Sequence, residues 1–237
     1  MCLRCVERSM FSRITQSPAL VRVVPFAVFL AFTFLQDRLG ETARYWIYFA
    51  KTIVGAGLLL AMFRYIEELE WRLSWESVVF GTGVFVMWVG LDALLIRLGL
   101  PNSYPKLKTP VGDWNPTTMF GAGSPLAIFF IVARIAGSSL VVPPLEELFY
   151  RSFVYRFFAS KEFLSVPLGR FLPLPFLVTS ALFGLAHREW LAGILCGFAY
   201  QGLVIWKKRL GDAVTAHGIT NFLLGLWIVW RGAWHFW

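Results

Sequence analysis

Apolar runs of bilayer length recur along this chain, and no other feature limits its possible folds so much. A helix needs about 20 predominantly apolar residues to cross the hydrocarbon core. Runs of that kind fall at residues 19–35, 45–63, 78–96, 125–142, 171–187, 190–206 and 212–230. The fourth meets Pro143-Pro144, where a helix interior is expected to break, and resumes through Glu146 to about Phe158. Seven spans follow, with six and eight as bounds. Composition agrees: 57% of the residues are hydrophobic and 15% charged, against about 25% charged in soluble domains. The 11 Trp and 23 Phe suit a lipid-facing surface with aromatic belts. The expected fold class is all-α, a polytopic transmembrane helical bundle.

A net charge of +8 does not make this a nucleic-acid binder, because the basic residues sit in short clusters between apolar runs. Such clusters suit loops facing anionic lipid. With seven spans, the N-terminal arginines, the Arg156–Lys161–Arg170 group and Lys207-Lys208-Arg209 share one side, expected to be cytoplasmic. Arg97, Lys106 and Lys108 fall on the other, and the acidic Glu67-Glu68-Leu69-Glu70 loop falls among the basic clusters, against the rule. No small-x-small cleavage site follows Leu35, so the first run reads as a retained anchor. Trp114, Asn115 and Pro116 suggest that the Pro- and Gly-rich stretch 101–123 lies at the membrane interface. The chain divides into N-terminal helices with that loop (1–124) and a second helical unit (125–237). Cys2 and Cys5 form a lone CxxC and Cys196 sits in an apolar run, a pattern read as incidental thiols rather than a disulfide framework.

Ionisable residues within apolar segments are costly and usually face a cavity or one another. Glu147 and Arg151, four apart, share a helix face and can pair, while Glu146 points about 100° away. A carboxylate so placed suits a general acid or base; the alternative is a solvated Glu–Arg pair on a helix outside the membrane. His187 ends the run Phe183-Gly184-Leu185-Ala186 and by itself reads as an interfacial or packed histidine. His217 and Asn221 share another face and can hold a water, a carbonyl oxygen or an oxyanion, or merely bond between helices. Gly193, Gly197 and Gly202 allow close helix approach. Arg134 reads as a structural counter-charge, Lys51 as a snorkelling side chain, and His235 as an interfacial residue without a chemical role.

These motifs carry a resemblance. Glu146-Glu147-Leu148-Phe149-Tyr150-Arg151 resembles the EExxxR motif of the CAAX protease and bacteriocin-processing (CPBP, or Abi) family of intramembrane peptidases. Phe183…His187 is similar to its FxxxH motif and His217…Asn221 to its HxxxN motif, in the same order and spacing, over roughly residues 125–230. The general style also resembles the bacterial, exosortase-associated branch. The resemblance implies an endopeptidase in a bacterial inner (plasma) membrane, surrounded by membrane lipid, acting on a membrane-associated peptide or protein that in some members is lipidated. It implies that Glu146 and His187 activate water, that His217 and Asn221 stabilise the oxyanion, and that Glu147 and Arg151 support the site.

No cofactor is expected, although Glu146, His187 and His217 can supply three zinc ligands with water in the fourth position; no HExxH is present. A non-catalytic scaffold or immunity protein on the same fold is the competing class. A transporter with a carboxylate–histidine relay is disfavoured, since no internal repeat is visible. One depth problem is foreseen. At 1.5 Å per residue, Glu146 and His187 fall about 20 Å apart across the membrane if both helices are full spans.

Overall fold

The structure, a computed structural model, describes residues 11–36, 38–69, 71–100 and 113–237. It contains no strand among them, and the fold is all-α. In chain order the main helices are α1 (Leu20–Gln36), α2 (Ala43–Met62), α3 (Trp75–Arg97), the short α4 (Pro116–Phe120), α5 (Pro125–Phe157), α6 (Pro173–Leu185), α7 (Trp190–Lys207) and α8 (Gly211–Arg231). Five of these helices (α2, α3, α5, α7 and α8) are long and apolar enough to cross a membrane, while α1 and α6 are apolar but shorter. All seven expected runs are helical.

Local chemistry sets the helix starts. Ser74 Oγ accepts from Ser77 N at the head of α3, and Ser124 Oγ from Ala127 N at the head of α5. Pro125 occupies the first turn of α5, where its missing N–H costs nothing.

The expected break at Pro143-Pro144 does not occur. α5 runs unbroken through 33 residues, about 50 Å. The reason is a change of hydrogen-bond register: π-helical segments at Gly137–Val141 and Leu148–Val154 bracket the prolines. Val142 N–H bonds Gly137 O, five residues back. In that register the partners of Ser138 O and Ser139 O would be Pro143 and Pro144, which have no N–H. Helix α8 compensates. Asn221 Nδ2 donates to Ser138 O at 2.8 Å. Gly218 lies so close beneath Ser139 O that an added Cβ would sit 2.8 Å from it, leaving room only for a Cα–H facing the carbonyl.

The second departure is length. α6 has 13 residues, about 20 Å, too short to cross a core of about 30 Å. Its start is pinned to α5, because Tyr155 Oη donates to Arg170 O at 2.8 Å and accepts from Leu172 N at 2.9 Å. The turn after α6, which carries His187, therefore stays within the depth of the bundle, and α7 returns from it. The two helices touch through small residues. A Cβ on Gly193 would lie 2.8 Å from Gly184 Cα, and one on Gly197 would lie 2.9 Å from Ser180 Cα. Gly202 takes no part, with nothing within 4 Å of its Cβ position.

A polar collar ties several helix ends together. Glu68 accepts from Arg22 Nη2 (2.7 Å), Arg156 Nη2 (2.5 Å) and Ser152 Oγ (2.5 Å). Burial alone would raise the Glu68 carboxyl, but the hydrogen bonds from Arg22 and Ser152 and the Arg22 and Arg156 charges bring it down to about 2. Lys207 Nζ meets Glu76 Oε1 at 2.5 Å, and Asp212 joins Ser74 Oγ (2.6 Å) to Arg209 Nε (2.9 Å). The acidic loop that broke the charge rule thus supplies a counter-ion to the basic residues beside it.

One smaller expectation changes, that for Lys51, and two other residues gain partners. Trp114 is 3% exposed and packs on Tyr45 and Trp237. Lys51 is 5% exposed and points inward rather than snorkelling. His235, expected at the interface, pairs with Asp92 at 3.2 Å. Cys196 is a buried free thiol. The CxxC at Cys2 and Cys5, and Lys106 and Lys108, lie outside the described residues.

Candidate active site

Glu147 and Arg151 sit one turn apart in α5, both essentially buried, with Arg151 Nε 3.1 Å from Glu147 Oε2. The guanidinium also lies over the Phe183 ring, 4.2 Å from its centroid. The other Glu147 oxygen, Oε1, is 3.0 Å from His217 Nδ1. A carboxylate accepts, so His217 donates its Nδ1–H there and turns Nε2 the other way. That nitrogen is 3.9 Å from Glu146 Oε2. Arg151, Glu147 and His217 thus form a chain that orients one imidazole towards Glu146.

Helix α7 holds His217 from the far side. Tyr200 on α7 stacks on its ring at 5.0 Å and 26°. The Tyr200 hydroxyl donates to Thr220 Oγ1 at 2.7 Å, and Thr220 reaches Gly81 O on α3 at 2.8 Å. Asn221, one turn beyond His217, spends one amide N–H on Ser138 O.

His187 comes from the turn between α6 and α7. Its Nδ1 is 2.7 Å from Phe183 O. A carbonyl only accepts, so Nδ1 carries the proton, and in the neutral ring Nε2 keeps a lone pair. Trp88 of α3 meets the ring edge-on at 5.7 Å.

The foreseen depth problem disappears with the observed geometry. Glu146 precedes Tyr155 by nine residues, about 13 Å, and His187 lies about 20 Å above the level at which Tyr155 pins α6. Glu146, His187, His217 and Asn221 all line one cavity of about 370 Å³. Glu147 and Arg151 stand behind it and do not line it.

Several cavity residues carried no motif signal. Lys51 and Tyr48 from α2, Trp88 from α3 and Tyr200 from α7 line it. Lys51 had a usable signal, a lone cation in the middle of an apolar run. Tyr200 and Trp88 had none, because aromatics are common throughout this chain. Arg134 also lines the cavity, its Cζ 4.6 Å from the Tyr48 ring centroid and 4.5 Å from that of Trp114.

Among the described residues no group of three or more His, Cys, Asp or Glu side chains is placed to hold a metal ion. The Nδ1 atoms of both histidines are engaged with Phe183 O and Glu147.

Comparison with known proteins adds a family. Residues 126–223 match the model described as Rce1-like, "Type II CAAX prenyl endopeptidase Rce1-like". No curated protein and no solved structure matches the chain. The matched segment is under half of the chain, yet it carries α5 to most of α8 and every motif residue named above. Across that segment, with its buried Glu147–Arg151 pair and the Glu146, His187, His217 and Asn221 cavity, the chain is similar to the Rce1-like family of CAAX proteases.

Proposed function

We propose that this protein is an intramembrane endopeptidase that hydrolyses a peptide bond in a membrane-associated peptide or protein. The observation that carries the reading is the convergence of Glu146, His187, His217 and Asn221, from three separate segments, on one cavity within the bundle. Glu146 takes a proton from a water molecule whose hydrogen bond to His187 Nε2 orients it for attack on the peptide carbonyl. The resulting oxyanion receives hydrogen bonds from His217 Nε2–H and the second N–H of Asn221. In that role His217 carries protons on both ring nitrogens, one of them held by Glu147. Glu146 then returns its proton to the leaving amine. Every group in this sequence belongs to the chain, and the mechanism we propose uses no metal. The setting we propose is a bacterial inner membrane with a cytoplasmic N-terminus, on the strength of the clustered basic residues.

The test is cleavage of lipidated reporter peptides by purified protein in nanodiscs. Glu146→Ala and His217→Ala are each expected to lower kcat/KM by at least 10²-fold. Unchanged cleavage in both variants would sink the proposed site.

A further inference from the structure

A short turn that no motif marks forms one wall of the cavity that holds Glu146. After α8 the chain reverses at Gly232 (φ 65°), a left-handed position that glycine adopts readily, and coils as a 3-10 turn at Trp234–Phe236. Phe236 and Trp237 fold back on the bundle and line the cavity, beside Arg188 and Glu189 from the turn before α7. A few contacts hold them there. His235 Nε2 donates to Asp92 Oδ2 at 3.2 Å, with the two side chains 37% and 23% exposed. Arg188 Nη1 donates to Trp237 O at 3.2 Å. The Trp237 ring meets Trp114 edge-on at 5.5 Å, and Phe236 packs against the apolar core. A half-exposed ion pair holds little against water, and every residue from 233 to 237 stays only half-buried. A wall held this lightly can open without unfolding the helices behind it.

We propose that residues 232–237 are a gate on this cavity, latched by the His235–Asp92 and Arg188–Trp237 contacts and swung aside at Gly232 to admit the peptide. The proposal rests on the peptidase reading for what enters, and on the contacts alone for the motion. The latch stands far from the polar collar, since Asp92 lies about 24 Å beyond Glu76 along α3. Substrate therefore enters from the face of the bundle away from the basic clusters. With the gate closed, the Phe236 and Trp237 rings keep water from the Glu146 cavity, and donors aimed at a developing charge act more strongly in a dry site than in water.

Cys196 reports on the gate, because it lines the same cavity and is 2% exposed. In a Cys2→Ser/Cys5→Ser parent it is the only thiol left. Its labelling by a small water-soluble maleimide is followed by mass spectrometry on the full chain in nanodiscs. Asp92→Ala and Arg188→Gln are each expected to speed labelling about fivefold or more. Asp92→Asn, whose amide oxygen still accepts from His235, should stay within about twofold of the parent. Hydrogen exchange should rise at residues 232–237 in the fast variants and stay unchanged along α7, which separates gate opening from general loosening. Labelling at the parent rate in the Asp92→Ala/Arg188→Gln double variant, or fast labelling with faster exchange throughout α7, overturns the gate. The readout needs no turnover. Gate-dependent labelling of a protein that cleaves no lipidated reporter peptide would overturn the peptidase reading and leave the gate standing. Cleavage with gate-independent labelling would do the reverse.

Discussion

At Glu147 and Arg151 an ion pair sits where water is excluded, one partner 0% and the other 1% exposed. Such a pair adds little net stability as a unit, but removing one member strands the other, at a cost of about 3–5 kcal/mol. Glu147→Gln and Arg151→Met are each expected to lower unfolding stability in detergent by that order. The double variant should recover much of the loss, because neither charge is then stranded. Cleavage should not recover, since Glu147 also fixes the His217 ring at 3.0 Å. Restored cleavage in the double variant would show that Glu147 serves packing alone. At Glu146 the expected chemistry runs without an added ion, so dialysis against a strong chelator should leave the cleavage rate unchanged; loss that is restored by zinc would reverse that expectation.

α5 owes its continuity to α8. The prolines remove two donors, and the π register moves the loss onto Ser138 O and Ser139 O, which Asn221 and Gly218 cover. The residue that the family resemblance makes an oxyanion donor is therefore also a structural clamp. Asn221→Ala should lower thermal stability by about 1–2 kcal/mol as well as slow cleavage, and unchanged stability would remove the clamp. Gly218→Ala should cost about 1–3 kcal/mol by overpacking, because the obstacle is a backbone oxygen 2.8 Å from the new Cβ. His217 and Asn221 were legible as a pair on one face. The π segments were not, because two adjacent prolines in a helical run predict a break unless a neighbouring helix can accept the freed carbonyls. That neighbour lies about 80 residues away in the chain, as the Asn221–Ser138 separation of 83 records.

Over the whole molecule, the collar around Glu68 links α1, the loop after α2 and the end of α5. Its carboxyl is lowered from 4.5 to about 2 by the folded surroundings. The stabilisation it lends is present in full above about pH 4.5 and drains away as the pH falls towards 2, where the folded carboxyl takes up its proton. Thermal unfolding followed from pH 6 to pH 3 should therefore show a loss of stability that is smaller in Glu68→Gln; equal slopes in the two proteins would show that other groups carry the acid response. Composition and the period of apolar runs by themselves determined that the chain is a helical membrane bundle and where each helix lies, because transfer from water to hydrocarbon acts on every residue of a run at once. The paired face of Glu147 and Arg151 and that of His217 and Asn221 were also determined locally, by the 3.6-residue turn. Only the tertiary structure decided that α5 continues through its prolines, that α6 stops short so that His187 reaches the Glu146 cavity, and that Lys51 turns inward to join it. Each of those outcomes depends on which helix is the neighbour, and a side chain's partner across a bundle leaves no periodic trace in the sequence.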